Sequence, residues 1–304
     1  MTAVEYEAIV QTVLEEIDRR ITETICAEDL ARTAGYSLYH FCRIFMNLTG
    51  MPVKGYILRR KLEFALYDLM RGEKILDVAM RYGFETHAGF TKAFKKRFGC
   101  PPSLYRLHVM ASPPTRATIE SIKRGGTCMQ VEIKEKAPFT MAGYPSRHCL
   151  PGVGGISDIP AFWDKRQMEV AEGLSALHEY YTKGPHFEAG VCFDLEDERD
   201  CFTYMVGVGV GEADSETLQL PGVYHHVIPG GLYAVLTTPW AEEAVYTKTI
   251  QEAWKDLLEN WLPHSPYEFD GTREAYEYYD ERDHAWLHDG KCCMDICVPI
   301  QKRG

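Results

Sequence analysis

A pattern that returns after 49 residues constrains this chain more than any other feature. Phe41, Phe45, Gly50 and Pro52 recur as Phe90, Phe94, Gly99 and Pro101. In the first copy, "CAEDLARTAG" places Leu30, Ala31 and Ala34 on one helical face. Gly35 suits a left-handed cap, and Ser37 can cap a second helix whose buried face carries Phe41, Ile44 and Phe45. The second copy runs through Leu76, Val78, Ala79 and Gly83, then Phe84, Thr86, Phe90 and Phe94. Helix, tight turn, helix is helix-turn-helix geometry. Between the copies, "PVKGYILRRKLEFALYDLM" predicts one long amphipathic helix. Ile57, Leu58, Leu62, Ala65, Leu66 and Leu69 form its apolar stripe, and Glu63 lies nearer its exposed side.

Duplication has a physical use. Equivalent base edges recur on one face of B-DNA every ~34 Å, so a rigid linking helix lets one chain read two adjacent major grooves. Charge agrees locally. The whole chain is acidic, with a formal net charge of -11. Tyr36–Met110 nevertheless carries 13 Lys+Arg against 5 Asp+Glu, whereas residues 111–304 carry 17 against 31. One part suits a polyanion and the other would be repelled by it.

The N-terminal part also resembles a known family. "ICAEDLARTAGYSLYHFCRIFMNLTGMPVKGYILRRKLEFA" and "KILDVAMRYGFETHAGFTKAFKKRFGCPPSLYR" are similar to the DNA-binding domain of AraC/XylS-type transcription regulators, in the MarA/SoxS/Rob-like branch. The resemblance implies that Gly35 and Gly83 are turn glycines. It implies that Tyr39, Cys42 and Arg43 face bases from the first recognition helix, with His87, Ala88 and Lys92 as their counterparts in the second. Arg43 suits either guanine O6/N7 or a phosphate. Lys92 suits a phosphate, and His87 suits a base edge or solvent. Cys42 and Ala88 are small where relatives carry amides. Lys95 and Lys96, with Arg97, form a phosphate-facing or solvated cluster.

Composition changes at "HVMASPPTRATIESIKRGGTC", where paired prolines, Gly-Gly and Ser/Thr mark a connector. Beyond it, β-rich runs such as "CFTYMVGVGV" and "GLYAVLTT" alternate with helical stretches. The expected organisation is an all-α double helix-turn-helix domain over 1–110, a linker over 111–128, and an α+β domain over 129–304. In the last, a β-α-β-β order occurs twice. The second part is similar to the GyrI-like effector-binding domain, through "FTYMVGVGV", "LPGVYHHVIPGGLYAVLTTPW", "AYEYYDER" and "MDICVPI".

That resemblance implies a pocket between the two halves with a buried glutamate, here Glu277, and Asp295 where the closing strand of the family carries glutamate. The ligand-facing residues expected are Tyr144, Phe162, Trp163, Tyr204, Tyr233, Trp240, Glu277 and Tyr279. An aromatic cup holding a carboxylate suits an amphipathic organic cation, because ring faces are negative and the acid supplies the charge partner.

These readings converge on a ligand-responsive, sequence-specific transcription regulator of the multidrug-sensing kind. Its partners would be double-stranded DNA, a small organic effector and RNA polymerase. Two alternatives stand beside it: a hydrolase using Glu277 with Tyr204, as in some stand-alone proteins resembling the sensor domain, or a protein-contact module without ligand. The sequence calls for no enzyme activity, cofactor or metal. Its C-C-x3-C cluster at Cys292, Cys293 and Cys297 matches structural zinc poorly. No apolar run reaches the ~18 residues of a membrane span, and the acidic start is unlike a secretion signal, so a cytoplasmic location is expected.

Overall fold

The structure, a computed structural model, describes residues 3–109, 113–119, 129–149, 173–181, 186–196, 201–211 and 222–303. The expected ligand residues Phe162 and Trp163 lie outside the described residues. The chain divides into two compact units. Of the described residues, the first comprises 3–97 and 113–119, and the second comprises 98–109 and those from 129 to 303.

In the first unit, α1 (Ala3–Arg19) buries Val10, Val13, Leu14 and Ile17. Helices α2 (Ala27–Thr33) and α3 (Leu38–Thr49) form the first helix-turn-helix. Gly35 takes φ 75° in its turn, a conformation that costs a residue with Cβ. Ser37 caps α3 by accepting from the His40 N–H. Helices α5 (Ile75–Arg81) and α6 (His87–Phe98) repeat the arrangement, with Gly83 at φ 82° and the Thr86 hydroxyl accepting from the Gly89 N–H. Phe41, Phe45, Phe90 and Phe94 are all buried, which accounts for the repeated phenylalanines. Gly50 caps α3 in the left-handed region, and Gly99 takes the same conformation after α6.

The linking helix α4 (Val53–Met70) buries Ile57, Leu62, Ala65 and Leu69, but Leu58 is exposed. Glu63 is not on an exposed side. Its carboxylate meets Arg59 at 2.7 Å, Arg60 at 2.6 Å and Arg97 at 3.6 Å. Arg60, itself buried, also pairs with Asp18 at 2.6 Å. Period-3.6 patterning places Glu63 beside its polar neighbours; it is tertiary packing that closes charges over it.

The second unit is built on an antiparallel sheet. Its strands are β1 (Val131–Lys136), β2 (Phe139–Cys149), β3 (Glu188–Glu196), β4 (Cys201–Val210), β5 (Tyr224–Ile228), β6 (Gly231–Thr237), β8 (Tyr267–Phe269), β9 (Tyr276–Tyr279) and β11 (Asp295–Lys302). Among the described residues the order is β1-β6-β11-β9-β3-β4-β2-β5, with β8 on β11. The short strands β7 (Ala241–Glu242) and β10 (Lys291–Cys292) pair separately.

Two β-α-β-β units explain this order. The first is β2, helix α8 (residues 173–180), β3 and β4; the second is β6, helix α9 (Glu243–Asp256), β9 and β11. In each, the sheet order is second strand, last strand, first strand outward from the centre. The halves meet along β3·β9. Strands β1 and β5 are exchanged: β1 edges the second half through β6, and β5 edges the first through β2.

One sheet face is a dry core containing Met141, Val191, Met205, Tyr233, Tyr276 and Cys297. Against the other face lie α7 (Pro102–His108), α8 and α9. Leu107 of α7 clusters there with Phe202, Tyr204 and Val206, and Leu177 of α8 with Val208 and Val210. Tyr105 donates to the Glu259 carboxylate in the π turn Leu257–Trp261 that extends α9. Alpha7 therefore belongs to the second unit, although its sequence is continuous with the helix-turn-helix pattern.

Candidate nucleic-acid surface and effector recess

Each recognition helix has an apolar stripe turned inward and a polar stripe left open. On α3, Tyr39 is 79% exposed, Arg43 is exposed and Cys42 is half-buried. On α6, His87, Ala88, Lys92 and Lys96 are exposed, while Lys95 is half-buried. The expected Lys95–Lys96–Arg97 cluster is divided, because Arg97 turns back to Glu63. These cations sit in the last turn of α6, where they also oppose the negative end of the helix dipole.

In the second unit, parity along β9 decides the site. Tyr276 and Tyr278 face the dry core, so Glu277 and Tyr279 face the helices. Trp254 of α9 donates its indole N–H to Glu277 Oε1 at 2.8 Å, and Tyr279 donates its hydroxyl to Oε2 at 2.7 Å. Glu277 keeps some accessible surface, yet enclosing protein pushes its carboxyl above the ordinary range; the two hydrogen bonds offset part of that rise. Burial, then Glu277 and Tyr204, pushes the Tyr279 phenol well up. Burial and the nearby Glu277 charge do the same to the Cys192 thiol.

Across β3·β9 the partner of Glu277 is Gly190, and beside it Glu188 opposes Tyr279. Glu188 accepts from or pairs with His178 of α8 at 2.6 Å. Asp283 is pushed up to about 6, chiefly by burial; a Tyr246 hydrogen bond opposes this, and Glu188, Asp280 and Glu277 add to it. The recess thus brings together aromatic rings and more than one acid.

Of the expected ligand residues, Tyr204, Glu277 and Tyr279 converge. Tyr144 is on the same face, in register with Val206, but is half exposed and lies under Gly173. Tyr233 does not belong to the recess. It is buried in the opposite core, donates to the Pro229 carbonyl and carries Arg273 over its ring. Trp240 is also elsewhere, 49% exposed and 4.8 Å from the His288 ring. Asp295 lies opposite Tyr278, hence on the core side, where Arg282 at 3.0 Å and the Thr237 hydroxyl at 2.7 Å hold it. It cannot share the recess, because Ile296 occupies the position across from Glu277.

The ligand set expected from the sequence did not include Trp254, Gly190, Cys192, Glu188 or Asp283. Alternation around "YEYY" places Glu277 and Tyr279 on one face of β9, but no local signal ties Trp254 to them. Cys292, Cys293 and Cys297 are buried free thiols.

The helix-turn-helix domain family matches residues 30–108, and the GyrI-like small-molecule-binding domain family matches residues 129–301. The chain belongs to the AraC-type helix-turn-helix regulators that carry a GyrI-like domain. It is 39% identical over 102 residues to the HTH-type transcriptional regulator YbfP of Bacillus subtilis, covering 33% of this chain and 35% of YbfP. It is 35% identical over 101 residues to the transcriptional activator AarP of Providencia stuartii, covering 33% of this chain and 75% of AarP. It is 34% identical over 99 residues to the transcriptional regulator Rob of Salmonella typhimurium, covering 32% of this chain and 34% of Rob. The matched stretch thus spans about a third of the length of YbfP and Rob. Among the described residues no helix is long and apolar enough to cross a membrane.

Proposed function

We propose that this protein is a cytoplasmic transcription regulator that reads two adjacent major grooves through α3 and α6 and answers to a small organic cation bound at Glu277. The observation that carries the effector half is the Glu277 carboxylate, held by Trp254 and Tyr279 inside a recess of rings. A carboxyl whose ionised form is disfavoured by burial gains most from a cation that restores its charge balance. Aromatic faces around it reward a flat or amphipathic cation over a metal ion. The DNA half is supported by the paired exposed stripes of α3 and α6. Effector occupancy then changes engagement of the operator or of RNA polymerase.

The test is calorimetric titration of the full chain with N-methylquinolinium, a permanent cation, and with quinoline, neutral at neutral pH. Glu277→Gln should weaken the cation by about tenfold or more and leave quinoline nearly unchanged. Equal losses for both would remove Glu277 as the charge partner. Binding of operator DNA by the free variant should match that of the parent.

A further inference from the structure

The Glu277 recess already contains a flat ring that the proposed function leaves unused. His108, the last residue of α7, stacks on Trp254 with ring centroids 3.6 Å apart and planes 9° from parallel. The same indole holds the Glu277 carboxylate at its edge. A ring on that face is therefore within Coulomb range of the acid. We propose that the Trp254 face is the stacking subsite for a planar aromatic cation, and that His108 is its resident occupant, displaced when the effector binds. The inference rests on the effector reading of Glu277 and specifies the ligand class.

His108 fits its place imperfectly. Its Nε2 is buried and has no hydrogen-bond partner among the described residues. Burial lowers the imidazole to about 3, so the ring is neutral at physiological pH. A neutral ring with an unsatisfied nitrogen stacks, but it offers nothing to the acid and bears a desolvation cost. A planar cation keeps the stack, needs no buried lone pair satisfied, and adds the charge pairing. A cleft of about 200 Å³ lined by Leu107, His108 and Cys192, though not by Trp254 or Glu277, gives a displaced His108 ring room to move.

The occupant is attached to the reader by sequence. Alpha7 follows α6, the second recognition helix, after the three residues Gly99, Cys100 and Pro101. A ligand that expels His108 acts on the segment next in the chain to that helix. Leu107 beside it packs with Phe202, Tyr204 and Val206, so loss of the stack loosens the seat of α7.

Two substitutions of opposite expected sign test this in the full chain, with N-methylquinolinium as probe. His108→Ala removes the competitor and should bind the probe roughly two- to tenfold tighter. His108→Phe stacks without a buried nitrogen and should bind it more weakly than the parent. In the parent, saturating probe should also raise amide hydrogen exchange across residues 103–109. Weakening by both variants, or unchanged affinity and exchange, overturns the competition; if Glu277→Gln still weakens the probe, the effector reading survives that result. Failure of the parent and both His108 variants to bind overturns both readings. Binding by His108→Ala alone supports the competition in its strongest form.

Discussion

Glu277 on β9 lies directly across the strand pairing from Gly190 on β3, at the seam between the two halves of the sheet. A Cβ at Gly190 would sit 3.0 Å from the Tyr204 hydroxyl and 3.5 Å from Glu277 Oε2. The absent side chain is what leaves room for the carboxylate and the phenol on the same face.

Gly190→Ala should therefore crowd the recess without breaking a backbone conformation, since this glycine is not in the left-handed region. We expect overpacking to cost about 1–3 kcal/mol in stability and to weaken N-methylquinolinium by about fivefold. Thermal melts and titration measure the two. Unchanged affinity would mean that Tyr204 and Glu277 do not define the wall.

Cation binding should depend on pH through Glu277. Its folded pKa is raised by burial, so part of the free protein carries a proton there above the ordinary carboxylate range of about 4.3. Pairing with a permanent cation expels that proton. Affinity should rise with pH up to the raised pKa of the free protein and then level off, while quinoline protonation is accounted for separately. The same group makes folding less favourable as pH rises from the unfolded value of about 4.3 through the raised folded pKa, because the native state holds the proton more tightly. A flat profile for N-methylquinolinium would place its charge elsewhere.

Asp295→Asn should leave effector affinity unchanged within about twofold. Its carboxylate serves Arg282 and Thr237 on the core side of the sheet. The loss should appear as reduced stability, about 1–3 kcal/mol, in denaturant titration. A drop in cation affinity comparable with that of Glu277→Gln would contradict the strand register.

Arg43 and Lys96 are both exposed but should fail differently. Arg43→Ala should cost about 1–3 kcal/mol on the cognate site and little on scrambled duplex if it reads a base. Lys96→Ala should weaken both alike and reduce the salt slope by about one. Salt titrations on the two duplexes separate these cases; uniform weakening by the Arg43 change assigns that residue to the backbone.

Glu63→Gln should destabilise the first unit by about 1–3 kcal/mol, because it leaves Arg59, Arg60 and Arg97 short of a counter-charge. Burial pushes the Glu63 carboxyl up, but the three arginines together hold it below the ordinary range. Its stabilisation is thus complete above the unfolded pKa of about 4.3 and is lost as pH falls through the lower folded value. Parent and variant melting curves should converge on the acid side; a constant difference down to low pH would show that shape, not charge, is at stake.

Local patterning by itself determined much of this protein. The 49-residue repeat, the turn glycines Gly35 and Gly83, the paired phenylalanines and the doubled β-α-β-β order are all written in short-range periodicity. So is the alternation that separates Glu277 from Tyr276 and Tyr278. Periodicity of two states which residues share a face of one strand, but not which face of the next strand they meet. Register across β9, β11 and β6 decided that Asp295 and Tyr233 lie with the dry core. The meeting of His108, Trp254 and Glu277 joins residues from α7, α9 and β9, and Glu63 gathers an arginine from α6. Such contacts arise from long-range packing, where burial and charge pairing are settled together, and no local window of sequence contains them.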